Sequence, residues 1–313
     1  MILSSVISSY VAHKRAIGCR FRTEEDLLKA FLKAVGDSPI ADIEPSSIQA
    51  FIDGKGPPTA YLSKKYFVLT GLYRFAFARA LVSDSPLPKR MPQITGPAFV
   101  PYIYSGAELR RLLDAVPAAC AGRVPVDGDV YRTLLLLLYG AGLRISEALA
   151  LNTSDVDLAD ATLRIRETKF FKTRIVPLGV DLTKVLTAYA GKRNADMAAR
   201  LDAPFFCFRD GRRFSRSAAQ GAFRRLRAWA AISREGGRYR QPRLHDLRHS
   251  AAVHRLIVWY REGVDLQDLL PKLSTYLGHV DLSATQRYLT MTPELLREAS
   301  LRFERYGLEA RDD

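Results

Sequence analysis

Apolar positions in the first eighty residues recur at three- and four-residue spacing, in DLLKAFLKAV (26–35) and YFVLTGLYRFAFARAL (66–81), with the turn-like DGKGPPT between them. That period marks one-sided helices, so three or four short helices are expected between Ser4 and Ala80. Periodicity stops at SPLPKRMPQITGPAFVP (85–101), whose five prolines favour extended backbone. The chain therefore divides into a helical domain over 1–90, a linker over 91–102 and a second domain over 103–313. Helical spacing resumes in SGAELRRLLDAV (105–116), where Ser105 and Glu108 form a capping-box signature, and a second helix follows over 129–140. In DVDLADATLRIRETKFFKTRIVPLG (155–179) the period changes to two. LRIRE and RIVPL then read as strands of a small antiparallel sheet, joined by a turn through KFFKT. Beyond Val180 the pattern is helical to Glu309, with Pro204, Pro242 and Pro271 among the interruptions. The expected fold class is mainly α: a helical N-terminal domain and a helical second domain carrying one small sheet.

Composition narrows the class. At 313 residues and 48% hydrophobic the chain can build two cores and is too apolar to be disordered. Forty-seven Lys and Arg against 33 Asp and Glu give +14, a field that draws polyanions such as nucleic acid. Cys19, Cys120 and Cys207 are scattered, which suggests neither a disulfide framework nor a thiolate zinc site and fits a reducing cytoplasm. MILSSVISSYVAHKRAIG lacks the basic start and the cleavage site of a secretory leader. The longest apolar run, TLLLLLYGAGL (133–143), is too short to span a bilayer and reads as a core helix, so no membrane partner is expected.

Candidate chemistry lies in four islands: GAGLRISEALAL (140–151), TKFFKTRIVPL (168–178), HDLRHS (245–250) and LGHVDLSATQRYLTM (277–291). Arg144 sits at a helix start, where the macrodipole disfavours a cation, so a ligand is the better reason for it. His245 and Arg248 are three apart and share a helix face, whereas His249, one residue round, is expected to turn elsewhere and His254 to be a satisfied core or surface histidine. His279 follows Gly278 and is expected to open a helix whose N–H groups could face an anion. Tyr288, nine residues on, needs help to act as a nucleophile, since a phenol ionises near ~10. Two guanidinium forks and histidines would supply that help and would match the oxygens of a phosphodiester. A zinc reading is disfavoured for want of a third ligand at fitting spacing. Twelve arginines against three acidic residues between Arg209 and Arg248 form a cationic strip suited to phosphates, with Phe214, Phe223 and Trp229 read as packing positions.

The order and spacing of these islands over 105–300 resemble the tyrosine recombinase family, the phage integrases of Xer and integrase type; residues 1–90 match it only in character. The resemblance implies a SAM-like core-binding domain ahead of a catalytic domain. It implies a site-specific recombinase that cleaves and rejoins duplex DNA through a 3′-phosphotyrosyl intermediate and a Holliday junction, without cofactor, metal or ATP. In that pattern Tyr288 is the nucleophile, Arg144, His245, Arg248 and His279 clamp and protonate around the scissile phosphate, and Glu147 orients Arg144. A hairpin lysine protonates the leaving oxygen: Lys169 by position, with Lys172 the alternative, since Phe170 and Phe171 depart from the family's usual small turn residues. Implied partners are double-stranded DNA and further protomers in a tetramer, with room for other recombinase subunits, in the nucleoid of a prokaryote and in the service of a mobile element or transposition. The runner-up readings are a topoisomerase or end-resolving enzyme of the same chemistry and a DNA-binding accessory protein. In TPELLREASLRFERYGLEA (292–310), Thr292 reads as an N-cap before Pro293. Leu295, Leu296, Ala299 and Phe303 form a stripe that packs either on its own domain or, as the family precedent suggests, on a neighbour.

Overall fold

The computed structural model describes residues 1–56, 60–89, 100–121, 127–166, 173–196, 201–279 and 281–309. The chain forms two compact units, Met1–Ala98 and Phe99–Asp313. The first contains helices α1 (Leu3–Ala16), α2 (Arg22–Val35), α3 (Pro45–Asp53) and α4 (Ala60–Phe77). Leu3, Val6, Ile7, Tyr10 and Val11 are the buried positions of α1, the one-sided spacing that a packed helix requires. They meet Leu27, Leu28 and Phe31 of α2 and Leu69, Leu72 and Tyr73 of α4 in one core. The helices approach closely because Gly71 has no side chain, since a Cβ there would lie 2.2 Å from the Tyr10 hydroxyl oxygen.

The second unit opens with α5 (Gly106–Asp114), capped reciprocally by Ser105 and Glu108. There follow α6 (Val116–Ala119), α7 (Gly128–Gly140) and α8 (Ile145–Ala150). The leucine run lies in α7, where Leu134, Leu135, Leu137 and Leu138 are buried, as befits a helix covered by neighbours on several sides. A meander of β1 (Val156–Asp157), β2 (Thr162–Ile165) and β3 (Arg174–Pro177) is antiparallel throughout, with Leu163 opposite Val156 on one side and Val176 on the other. The two-residue β1 is too short to leave a period in the sequence, so only β2 and β3 could be anticipated. Then come α9 (Val180–Asp196), α10 (Arg216–Trp229), α11 (Gly237–Arg240), α12 (Asp246–Arg261), α13 (Leu266–Leu277), α14 (Ser283–Gln286) and α15 (Pro293–Glu309). Pro271, expected to interrupt, lies inside α13. The buried Leu273 and Leu277 pack against Ala252, Val253 and Leu256 of α12, and that burial, about 2 kcal/mol for each leucine, offsets the lost amide bond.

The C-terminal helix α15 packs on its own unit. Thr292 Oγ1 accepts from the Leu295 amide at 3.1 Å, Leu295 is fully buried in the α12–α13 cluster, and Arg261 bridges Glu294 and Glu298 at 2.8 and 2.9 Å. The stripe is split: Leu296 and Phe303 point outward, Phe303 at 80% exposure. No helix among the described residues is long and apolar enough to cross a membrane.

Candidate active site

Chain reversals at Gly142 and Gly278 help to bring the islands together. Arg144 stands at the N-cap of α8, after Gly142 at φ +58 turns the chain out of α7. Its amide donates to Glu147 Oε2 at 3.0 Å, and its guanidinium donates to Glu147 Oε1 and to the Gly278 carbonyl, each at 2.7 Å. Arg248, on the first turn of α12, is 2% exposed and donates to the carbonyls of Gly142 at 2.7 Å and Leu277 at 2.6 Å. Backbone oxygens thus fix both forks, with Glu147 also holding Arg144 and with Arg248 also turned toward the Tyr288 hydroxyl. Burial, with the Arg144 charge adding to it, pulls the Arg248 guanidinium down to about 10. Such a group gains from an arriving anion.

Glu147 ties the Arg144 segment to the sheet. Besides Arg144 it accepts from both terminal nitrogens of Arg174, the first residue of β3, at 3.0 and 2.9 Å. Burial would raise this carboxyl, but the Arg174 and Arg144 contacts outweigh it and hold it down at about 2. Arg174 also donates through Nε to the Tyr276 carbonyl at 3.2 Å and presses on Gly278, where an added Cβ would lie 2.6 Å from its guanidinium. The sequence reading passed over Arg174. No local pattern carries the signal, because Glu147 lies 27 positions earlier in the chain and meets Arg174 only in the folded unit.

His279 does not open a helix. The α13 C-cap, Gly278 at φ +69, ends α13, and the His279 amide reaches back to the Ser274 carbonyl at 2.9 Å in a closing turn. Its side chain is oriented instead by α14, where Nδ1 meets Thr285 Oγ1 at 2.6 Å. The ring lies almost parallel to that of Tyr288, 6.0 Å away at 28°. Tyr288, in the turn Arg287–Thr290, is 2% exposed. Burial raises its hydroxyl above the ordinary phenol value, and the charge of Arg248, then that of Arg144, opposes the rise.

The expectation that His249 faces elsewhere is overturned. Its Nδ1 is 3.1 Å from the Tyr288 hydroxyl, and its ring meets that of His245 edge-on at 4.9 Å. Positions i and i+4 share a helix face, so His245, at the N-cap of α12, and His249 stand one above the other. Burial first, then nearby arginines, lower His245 and His279 to about 4, so both are neutral at pH 7. His254 lies outside this group, with Nδ1 2.8 Å from the Tyr139 hydroxyl. The candidate lysines Lys169 and Lys172 lie outside the described residues.

The cationic strip is less uniform than its composition suggests. Arg213 and Arg227 donate to the carbonyls of Leu149 and Pro242, both at 2.7 Å, and serve packing, while Arg216, Arg224 and Arg225 are exposed. Phe214 and Phe223 are buried as expected, but Trp229, at the end of α10, is 65% exposed. Among the described residues no group of three or more His, Cys, Asp or Glu side chains could hold a metal ion.

Residues 105–294 match the model of the phage integrase family. The Sinorhizobium fredii protein y4rB, of integrase/recombinase type, is 35% identical over 96% of this chain and 96% of its own length. The tyrosine recombinase XerD of Corynebacterium glutamicum is 27% identical over 95% of this chain and 96% of its own. Among solved structures, the Tn1549 transposon integrase in complex with transposon right end DNA superposes with a TM-score of 0.70 at 16% identity, covering 98% of this chain and 100% of that one, a likeness of fold.

Proposed function

The chain belongs to the phage integrase family and is a tyrosine-type site-specific recombinase, and from that premise we propose that Tyr288 cleaves duplex DNA and holds the 3′ end as a phosphotyrosine until a second 5′ hydroxyl rejoins it. The observation that carries this reading is the surroundings of Tyr288: its hydroxyl lies beside His249 and in the field of Arg248 and Arg144, and its ring lies 6.0 Å from that of His279.

A phosphodiester drawn into this group brings two non-bridging oxygens to two guanidiniums already aimed by backbone carbonyls. As Tyr288 attacks in line, charge grows on those oxygens, and the forks of Arg144 and Arg248 meet it without reorganising. The neutral rings of His245 and His279 each offer an N–H to the same phosphate. The departing 5′ oxygen takes a proton from Lys169, on the segment joining β2 to β3. Energy is conserved in the phosphotyrosyl bond, so rejoining requires no ATP, and the arginines take the part that a metal plays in other nucleic-acid enzymes. The charge of +14 and the exposed Arg216, Arg224 and Arg225 support duplex DNA as the partner. The helical first domain would grip the opposite side of the duplex. Exchange between two duplexes, each bound by two protomers, would pass through a Holliday junction within a tetramer. Work on nucleoid DNA in a prokaryotic cytoplasm, in the service of a mobile element, fits this chemistry.

The test is a nicked duplex from which the cleaved strand escapes. The wild-type chain should leave a protein–DNA adduct that survives denaturation, in EDTA as well as in magnesium. Tyr288→Phe should bind the same duplex with unchanged affinity and form no adduct. Adduct formation by the phenylalanine variant, or a strict need for magnesium, refutes the proposal.

A further inference from the structure

We propose that His249 is a further catalytic residue, the base that takes the Tyr288 proton as the phenol oxygen attacks phosphorus. The inference rests on the reading of Tyr288 as nucleophile and deepens it, but its own observation is a contact: His249 Nδ1 lies 3.1 Å from the Tyr288 hydroxyl. In the neutral ring the proton then sits on Nε2, and Nδ1 offers a lone pair to the hydroxyl.

The other neighbours of this oxygen do not fit the role. Arg248 and Arg144 are cations without a lone pair to give. His279 commits Nδ1 to Thr285 at 2.6 Å, and its ring centroid lies 6.0 Å from that of Tyr288. His245 packs edge-on against His249 rather than against the tyrosine, one turn earlier on the same helix. The helix that carries His249 is itself pinned by the Arg248 bonds to Gly142 and Leu277, so the imidazole is held where the hydroxyl meets it.

Burial, reinforced by His245, Arg243, Arg248 and His279, pushes this imidazole down to about 3, so its lone pair is free at neutral pH. Burial and the charges of Arg243 and Arg248 disfavour its taking up a proton in the empty site. A phosphodiester arriving between Arg144 and Arg248 brings negative charge among them and restores the basicity when the substrate is present. The step balances. The Tyr288 O–H bond breaks and its proton goes to Nδ1, leaving an imidazolium. The electron pair left on the phenol oxygen forms the bond to phosphorus while the bond from phosphorus to the 5′ oxygen breaks. That oxygen keeps the bonding pair and takes a proton from Lys169. On rejoining, the imidazolium returns its proton to the phenol oxygen.

The experiment is single-turnover cleavage of the nicked duplex by the full chain carrying His249→Asn or His249→Ala, with duplex affinity followed by fluorescence anisotropy. Asparagine can accept a hydrogen bond near the Nδ1 position but cannot carry the proton away. Both variants should keep wild-type affinity and cleave roughly a hundredfold more slowly. On a duplex whose 5′ bridging oxygen is replaced by sulfur, which leaves without a proton, Lys169→Ala should recover and neither His249 variant should. Wild-type cleavage by His249→Asn would reduce His249 to a hydrogen-bond partner and overturn the proposal. Recovery of the His249 variants on the sulfur substrate would move it to the leaving-group side and overturn it as well. Tyr288→Phe is run alongside: cleavage by that variant defeats the nucleophile reading itself, whereas its failure beside an active His249→Asn defeats only the role of His249.

Discussion

Substitution of Glu147 by glutamine tests the framework beneath the proposed chemistry. The carboxylate is buried, with 8% of its side chain exposed, and takes charge-assisted bonds from Arg144 and Arg174 at 2.7–3.0 Å. Its pKa of about 2, against a usual value of 4.5, corresponds to about 3 kcal/mol of preference for the charged form in the folded chain. Breaking a buried ion pair by removing one partner gives a matching figure of ~3–5 kcal/mol. Because the folded value is depressed, the contribution is complete above pH ~4.5 and fades as pH falls toward about 2. Glu147→Gln, neutral at every pH, should therefore be destabilised by about 3 kcal/mol at pH 7 in urea titration, a loss of roughly 6–12 °C in melting temperature for a domain of this size. The gap to wild type should close as both are titrated from pH 5 toward pH 3. A difference below about 1 kcal/mol at pH 7, or a gap that stays constant on acidification, refutes the account of Glu147 as the clamp between two guanidiniums.

Gly278→Ala forces a Cβ to within 2.6 Å of the Arg174 guanidinium at a φ of +69, so it should lose about 1–3 kcal/mol and slow cleavage, read by urea titration and by adduct formation; a neutral substitution refutes the close approach. His245, His249 and His279 take up protons in the unfolded chain near the usual 6.5 but only at about 4, 3 and 4 when folded, so stability should rise with pH between about 4 and 6.5. Replacing His245 with glutamine should flatten that rise in melting temperature, and an unchanged slope counts against its burial as a neutral ring. Duplex affinity should fall linearly in log–log form as salt rises, and charge-neutral variants of Arg216, Arg224 and Arg225 should each reduce the slope by about 1; slopes equal to wild type exclude these side chains from phosphate contact.

Much of the architecture was legible because it depends on local periodicity. The capping box at Ser105, the leucine-rich α7, the β2–β3 pair and the Thr292 cap each express a rule that acts within a few residues. The grouping of Arg144, His245, Arg248, His279 and Tyr288 was legible through the family resemblance, with the chemistry of the residues beside it. What escaped depends on packing between distant segments. His249 was misjudged because adjacency to Arg248 was weighed and the i, i+4 relation to His245 was not, and no local pattern reports that Tyr288 arrives 39 positions later. Arg174 reads as an edge-strand cation until Glu147 is brought opposite it. Trp229 falls at a packing interval on α10, yet the helix ends there and leaves the ring in solvent.

The carbonyls that grip the two arginines come from both ends of the second unit. Arg248 depends on Gly142, made early, and on Leu277, made late, and Arg144 depends on Gly278. A chain made only through α12 therefore has Gly142, Glu147, His245, Arg248 and His249 but neither Leu277 nor Gly278. Arg248 then has one of its two carbonyls, and Arg144 has Glu147 without the Gly278 carbonyl. The site that would bind a scissile phosphate closes only when α13 docks, and Tyr288 follows Gly278 by ten residues. A product that ends before Gly278 carries the exposed Arg216, Arg224 and Arg225 but lacks both the Gly278 carbonyl that holds Arg144 and the proposed nucleophile Tyr288.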